Sequence, residues 1–154
     1  MVHPRRPAPV RCGVLSVLTT AHRRHVLTVP AVSATVTLAR RTGEQAWAAW
    51  GVNPSHRVLG PALLILTELV ANSVRHAAHV SPNIDVIYAH GDGVLAFAVH
   101  DRHPFVPSIP PQTHADGGHG LAVAAELVAE HDGTATVRPD IDHRGKTVWV
   151  TLPL

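Results

Sequence analysis

Cysteine is nearly missing: Cys12 stands alone among 154 residues. No internal disulfide can form, which fits a reducing, cytoplasmic setting. Charge is scarce as well. Asp, Glu, Lys and Arg together make up 16% of the chain, too few for a disordered, self-solvating polymer. The formal charge is only +2, from 13 Lys+Arg against 11 Asp+Glu. Arg5, Arg6, Arg11, Arg23 and Arg24 gather that excess near the start. The remainder is close to neutral, which excludes a broad basic face for nucleic acid. No apolar run is long enough to span a bilayer. Residues 12–21, behind three arginines, have the outline of a signal peptide. Ser16, Thr19 and Thr20 break its short apolar centre, so that reading is set aside.

Apolar residues, by contrast, make up 45% of the chain. One packed domain is easily supplied at this length. Residues 1–22, with Pro4, Pro7 and Pro9 among arginines, read as a flexible basic arm, and residues 23–154 as the domain. Residues 26–29 before Pro30 form a first strand. Residues 32–50 form a first helix, with Val32, Val36, Ala39, Ala46 and Trp50 near helical spacing and Gly51 as its stop. Trp47 and Trp50 serve either the core or a partner or dimer surface.

The second helix is the clearest element. Ser55 is its expected N-cap, and Leu59, Ala62, Leu63, Leu66, Leu69, Val70, Val74 and Ala77 make a wide apolar stripe. Ser81-Pro82-Asn83 ends it. Residues 84–90 and 94–100 are β-rich runs joined by Gly91-Asp92-Gly93, a hairpin signal. Residues 102–117 carry Pro104, Pro107, Pro110 and Pro111 without periodicity, as functional lids do. A third helix over residues 121–130 and strands over residues 134–137 and 147–152 follow. The order β-α-α-β-β-α-β-β predicts an α/β (α+β) two-layer sandwich: a mixed, mostly antiparallel sheet with helices on one face.

Glu68, Asn72 and His76 are spaced by four on the second helix and share one face. That stripe is either its solvated side or the wall of a site. In a site, the Asn72 amide oxygen is a hard ligand suited to magnesium, and Glu68 is a proton acceptor. Gly117-Gly118-His119-Gly120 precedes the third helix, whose free N–H groups favour anions. The same glycines also serve a plain loop. Asp101 either caps a turn or accepts from a base amino group. Gly145-Lys146-Thr147 opens the last strand. His76 with His79, and His100 with His103, have spacings open to a transition metal. A metal site needs three or four convergent ligands, and no cysteine pair accompanies them.

Together these segments resemble a family. Glu68-Leu-Val-Ala-Asn72-Ser-Val-Arg75-His76-Ala77 is similar to the N box of the Bergerat-fold (histidine-kinase-like, GHKL) ATPases. Asp101 resembles the start of their first glycine box, Gly118-His119-Gly120-Leu121 their second, and Gly145-Lys146-Thr147 their closing threonine motif. The likeness runs from about Arg24 to the C-terminus. It is nearest to the stand-alone anti-sigma-factor-type serine/threonine kinases of bacteria. The resemblance implies ATP and Mg2+ as cofactors, Asn72 as the metal ligand and Glu68 as general base. It implies that Asp101 accepts from the adenine amino group and that Thr147 supports the adenine end. Gly118, His119, Gly120 and Leu121 would lie at the phosphates, with Arg75 and His76 nearby. It also implies protein partners, a sigma factor and its small antagonist; the homodimer remains a candidate from Trp47 and Trp50 alone. One departure stands out: Arg102-His103-Pro104-Phe105 follow Asp101 where the family has glycines. Bulky residues there would crowd the adenine or stiffen the lid. This favours an alternative, a catalytically weak ATP-binding switch that regulates a partner by binding alone. A complete sensor kinase or gyrase would need further helices or domains.

Overall fold

The computed structural model describes residues 23–109 and 119–154. The arm expected over residues 1–22, the lid stretch 110–117 and Gly118 lie outside the described residues.

The described chain runs β1 (Arg23–Pro30), α1 (Ala34–Ala49), α2 (Leu59–Ala77), β2 (Asn83–Gly91), β3 (Val94–Asp101), α3 (His119–Glu130), β4 (Thr134–Pro139) and β5 (Lys146–Pro153). The five strands lie in the order β1-β2-β3-β5-β4. A mixed sheet was expected; each ladder is in fact antiparallel. The helices cover one face, giving the two-layer α+β sandwich that the element order implied.

The β2–β3 hairpin turns at Asp92 and Gly93, with φ of 50° and 71°. Positive φ at both central residues is the type I′ geometry that matches strand twist. This turn fixes the register Gly91↔Val94 through Asp85↔His100. Alternation then puts Leu95, Phe97 and Val99 on the helix face, opposite Leu152, Val150 and Val148 of β5. Ala98 and Trp149 pack together on the other face, beside Ile87. The first strand is longer than its apolar centre. Arg23, Arg24 and His25 extend it along the exposed sheet edge, where charge discourages further pairing.

Helix α1 buries Ala39 as its periodicity suggested, with Val36 and Trp50 packed partly against the core, but its most buried line takes in other residues. Thr35, Ala39, Gly43 and Trp47 are buried at a strict spacing of four, while Val32 is outside the helix and exposed. Trp47 is fully buried and meets Tyr88 and Phe97 at ring separations of 6.1 and 5.8 Å. It is a core residue, and Trp50 packs partly against the same core. Gly43 suits this close approach: a Cβ there would stand 3.2 Å from the Tyr88 ring and 3.3 Å from Leu66, a tight fit. The Tyr88 hydroxyl donates to the Ala39 carbonyl at 2.7 Å, and burial raises its pKa far above the ordinary value.

Ser55 does not cap α2. The helix begins at Leu59, with Val58 in the cap position and no side-chain cap bond. The preceding polar groups are spent on local turns instead. Asn53 Oδ1 accepts from the Ser55 N–H at 2.9 Å, and His56 Nδ1 from the Val58 N–H at 3.3 Å. Such short-range bonds compete with a helix start. The apolar stripe of α2 is otherwise as expected, and Ile65 joins it fully buried.

Candidate functional site

The helix-facing ladder of β3 and β5 ends in a charged rung. After Leu95, Phe97 and Val99 the next inward position is Asp101, and its cross-strand partner is Lys146. Both are buried, at 2% and 5% exposure. Lys146 Nζ donates to Asp101 Oδ1 at 2.7 Å, and the Ser73 hydroxyl donates to Oδ2 at 2.6 Å. The His103 backbone N–H adds a third bond, to Oδ1, at 3.0 Å. Asp101 thus does cap the turn that follows it, while also facing α2. Gly145 lets β5 begin so close by: a Cβ there would meet the Asp101 carbonyl at 2.6 Å.

The structure does not bring Thr147 to Asp101. It pairs with His100 and Arg138, one position out of phase, on the face away from the helices. Lys146 and Ser73 are the residues that sequence reasoning missed. The signal for Lys146 was present, since it shares the alternation phase of Val148, Val150 and Leu152.

On α2, Glu68 and Asn72 stand on one face, one turn apart. The Asn72 Oδ1 atom is buried and has no hydrogen-bond partner among the described residues. A buried amide oxygen left unpaired costs about 1–3 kcal/mol, so its persistence in a site is informative. The start of α3 abuts this face. A Cβ on Gly120 would collide with the Glu68 carboxylate and stand 3.1 Å from its Cδ. A larger residue there would have to displace the Glu68 carboxylate. Glu68 and the first turn of α3, which carries free N–H groups, are therefore brought together. Leu121 is buried in the core and anchors that turn. Arg75 and His76 are exposed in the last turn of α2.

The residues after Asp101 go different ways. Arg102 turns toward the β4–β5 connection, where its guanidinium pairs with Asp140 and Asp142, each at 2.8 Å. Phe105 is half exposed. The His103 ring lies edge-on to His79, with centroids 5.7 Å apart. The histidine pairs take different roles from metal binding. His100 Nε2 lies 3.0 Å from Asp140 and its Nδ1 lies 3.5 Å from Asp85. Among the described residues no group of three or more His, Cys, Asp or Glu is placed to hold a metal. A single hard oxygen such as Asn72 Oδ1 fits magnesium instead, which keeps waters and takes substrate phosphates as its other ligands. Among the described residues no helix is long and apolar enough to cross a membrane.

Burial and then the Lys146 charge push the His103 pKa below its ordinary value. Its Nδ1 accepts from the Phe105 N–H at 3.1 Å, which requires the neutral ring. The unfolded chain therefore binds a proton that the folded chain resists. Stability from this group is present above the ordinary histidine pKa and is lost as pH falls below about 6.5. His90, lowered by burial and by Arg23, acts with the same sign. Urea unfolding at about pH 7.5 and 5.5 should show a drop in midpoint that His103→Gln reduces, since glutamine keeps an acceptor without titrating. An unchanged drop would remove His103 from the account.

Sheet, helices and polar end together define a two-layer α+β domain with a candidate site between α2, the start of α3 and the β3–β5 end. The family model described as histidine kinase-, DNA gyrase B-, and HSP90-like ATPase matches residues 61–154. That is more than half of the chain, and the chain belongs to this family. No curated protein matches it in sequence. Solved structures share its fold. The RsbU and RsbW domains of Rv1364c from Mycobacterium tuberculosis match with 24% identity and a TM-score of 0.62, over 86% of this chain and 32% of that one. The histidine kinase domain of a blue-light activated kinase from Erythrobacter litoralis EL346 matches with 15% identity and a TM-score of 0.51, over 82% and 66%. Full-length ShkA in complex with AMPPNP matches with 18% identity and a TM-score of 0.52, over 90% and 33%. The chain thus spans about a third of the first of these.

Proposed function

We propose that this domain binds ATP with Mg2+ and acts on a protein partner as an anti-sigma-factor-type serine/threonine kinase. The γ-phosphate would pass to a serine or threonine of a small antagonist protein, and a sigma factor would be held when that antagonist is absent. The observation that carries the nucleotide reading is the orphaned Asn72 Oδ1, one turn from a Glu68 that α3 approaches through Gly120. Magnesium there would neutralise phosphate charge, most of what phosphoryl transfer asks of a protein. Asn72 supplies its protein oxygen. Glu68 takes the proton of the acceptor hydroxyl as the new O–P bond forms and the bond to the departing ADP breaks. Gly118 and Gly120 leave room for backbone N–H groups to meet phosphate oxygens, and Asp101 faces the base. The RsbW domain among the structural neighbours supports the choice of kinase class.

The test is phosphate transfer from labelled ATP to a candidate antagonist protein. Glu68→Gln should retain ATP affinity and lose transfer by about 10²–10⁴-fold, the usual worth of a positioned base. Transfer at the normal rate in that variant would remove Glu68 from the chemistry. A second reading, a binding-only switch, draws support from the Asp101 carboxylate being already engaged by three donors. It would be favoured if nucleotide changed partner affinity while no phosphate moved.

A further inference from the structure

The three described helices pack on one face of the sheet. The other face is nevertheless buried along its middle. Ala89 and Ala96, paired across β2 and β3, are 0% and 1% exposed, and Ala98 is fully buried. Trp149, paired with Ala98 on the same face, is only 6% exposed. An indole lying on an open sheet leaves one ring face to water, and alanines are too short to shield it. The flanks of this face are wet: Val26 on β1 is 47% exposed, and Thr136 and Arg138 on β4 are exposed. A cover therefore lies over β2, β3 and β5 and stops short of both edges.

None of the described residues outside the sheet joins this face. Its two apolar clusters hold sheet side chains alone, Ala98, Trp149 and Ile87 in one and Ala89, Ala96 and Val94 in the other. The burial is that of one chain by itself, so a second copy is not its source. Two stretches of the chain remain, residues 1–22 and 110–118. The second is tethered on the helix side at both ends, by Ile109 against the core and by α3 from His119. It also carries no Val, Leu, Ile, Phe or Trp. The first leads directly into β1, where Arg24 pairs with Ala89. Its residues 12–21 hold Val14, Leu15, Val17 and Leu18 and no charge. Branched side chains of that kind fill the room that alanines leave. The reach is sufficient: β5 is three strands from β1, about 14 Å, and ten residues cover about 15 Å even as a helix.

We infer that the outer face of the sheet is the seat of residues 12–21, which pack over Ala89, Ala96, Ala98 and Trp149. The stretch whose composition suggests a free arm is then a third layer of the domain. A face so covered is closed to any other protein until the segment leaves it. The inference is independent of the nucleotide reading.

The experiment measures thiol reactivity in the full chain. Cys12→Ser removes the one native thiol, and Ala96→Cys places another at the middle of the face. In the folded chain that thiol should react with a chromogenic disulfide at least about a hundredfold more slowly than in urea, because reaction awaits local opening. Adding Leu15→Asp and Leu18→Asp should speed it at least about tenfold, less than two buried leucines contribute, with cooperative melting retained. Reaction at the unfolded rate in the folded chain means an open face, and a rate that the aspartates leave unchanged means another cover. Either result overturns the inference, as does a rate that falls with rising protein concentration, which makes a second copy the cover. Should the aspartate pair not fold, Leu15→Ala with Leu18→Ala takes its place, with a rise of at least about threefold expected. Should Ala96→Cys not fold, the aspartate pair on an otherwise native chain decides. Its tryptophan emission should shift to the red as Trp149 meets water while Trp47 stays in the core. An unmoved emission overturns the inference.

Discussion

Asp101→Ala should destabilise the domain by about 3–5 kcal/mol, the usual consequence of stripping a buried ion of its partner. Lys146 is 5% exposed, so little water is at hand to replace the lost carboxylate. The same change also deprives the Ser73 hydroxyl and the His103 N–H of their acceptor. Against a total of about 5–15 kcal/mol for a typical domain, that loss is large. It corresponds to a fall in melting temperature on the order of 10 °C at this size. The double variant Asp101→Leu with Lys146→Met removes both charges and should recover most of the loss, to within about 1–2 kcal/mol of wild type. The decisive comparison is thermal unfolding of the three proteins. A single variant as stable as wild type would mean that Lys146 finds water, and the buried rung would have to be abandoned.

That rung shows how far the sequence could be read. The hairpin at Gly91-Asp92-Gly93 and the long apolar stripe of α2 are local signals, strong because each residue in them repeats one message. They placed the fold before any tertiary contact was known. The end of β5 was legible in principle, since Lys146 keeps the phase of Val148 and Val150. A familiar motif directed attention to Thr147 instead, one residue and one sheet face away. The Ser55 cap failed for a different reason: Asn53 and His56 made competing turn bonds at the same few residues. Arg102 was beyond sequence reasoning altogether. Its partners Asp140 and Asp142 lie some 40 residues further along and come near only when β5 docks on β3. Periodicity alone could not say what the Glu68–Asn72 stripe faces; the tertiary structure sets Glu68 beside Gly120 at the start of α3.

Asn72→Ala should have effects of opposite sign on stability and on binding, and that opposition tests the site more sharply than either alone. Without ligand, the variant loses a buried amide oxygen that has no partner among the described residues. Removing an unsatisfied group relieves about 1 kcal/mol or more, and alanine is the better helix former. The free domain should therefore melt about 3 °C higher. With Mg2+ and ATP the order should reverse. A ligand at about 100 times its Kd stabilises the wild type by about 2.7 kcal/mol. The variant, without its metal-facing oxygen, should bind at least about 30-fold more weakly and lose most of that shift. Melting curves with and without Mg-ATP, run beside calorimetry, read both signs at once. If Asn72→Ala lowers the stability of the free domain, the amide oxygen is satisfied in solution and its vacancy no longer argues for a metal. If the free domain gains stability while Mg-ATP affinity holds, the oxygen is a packing defect and magnesium is held elsewhere. Only a gain without ligand joined to a loss with it places Asn72 at the metal. That pattern is the trade of stability for function expected where a site keeps an unsatisfied group in readiness.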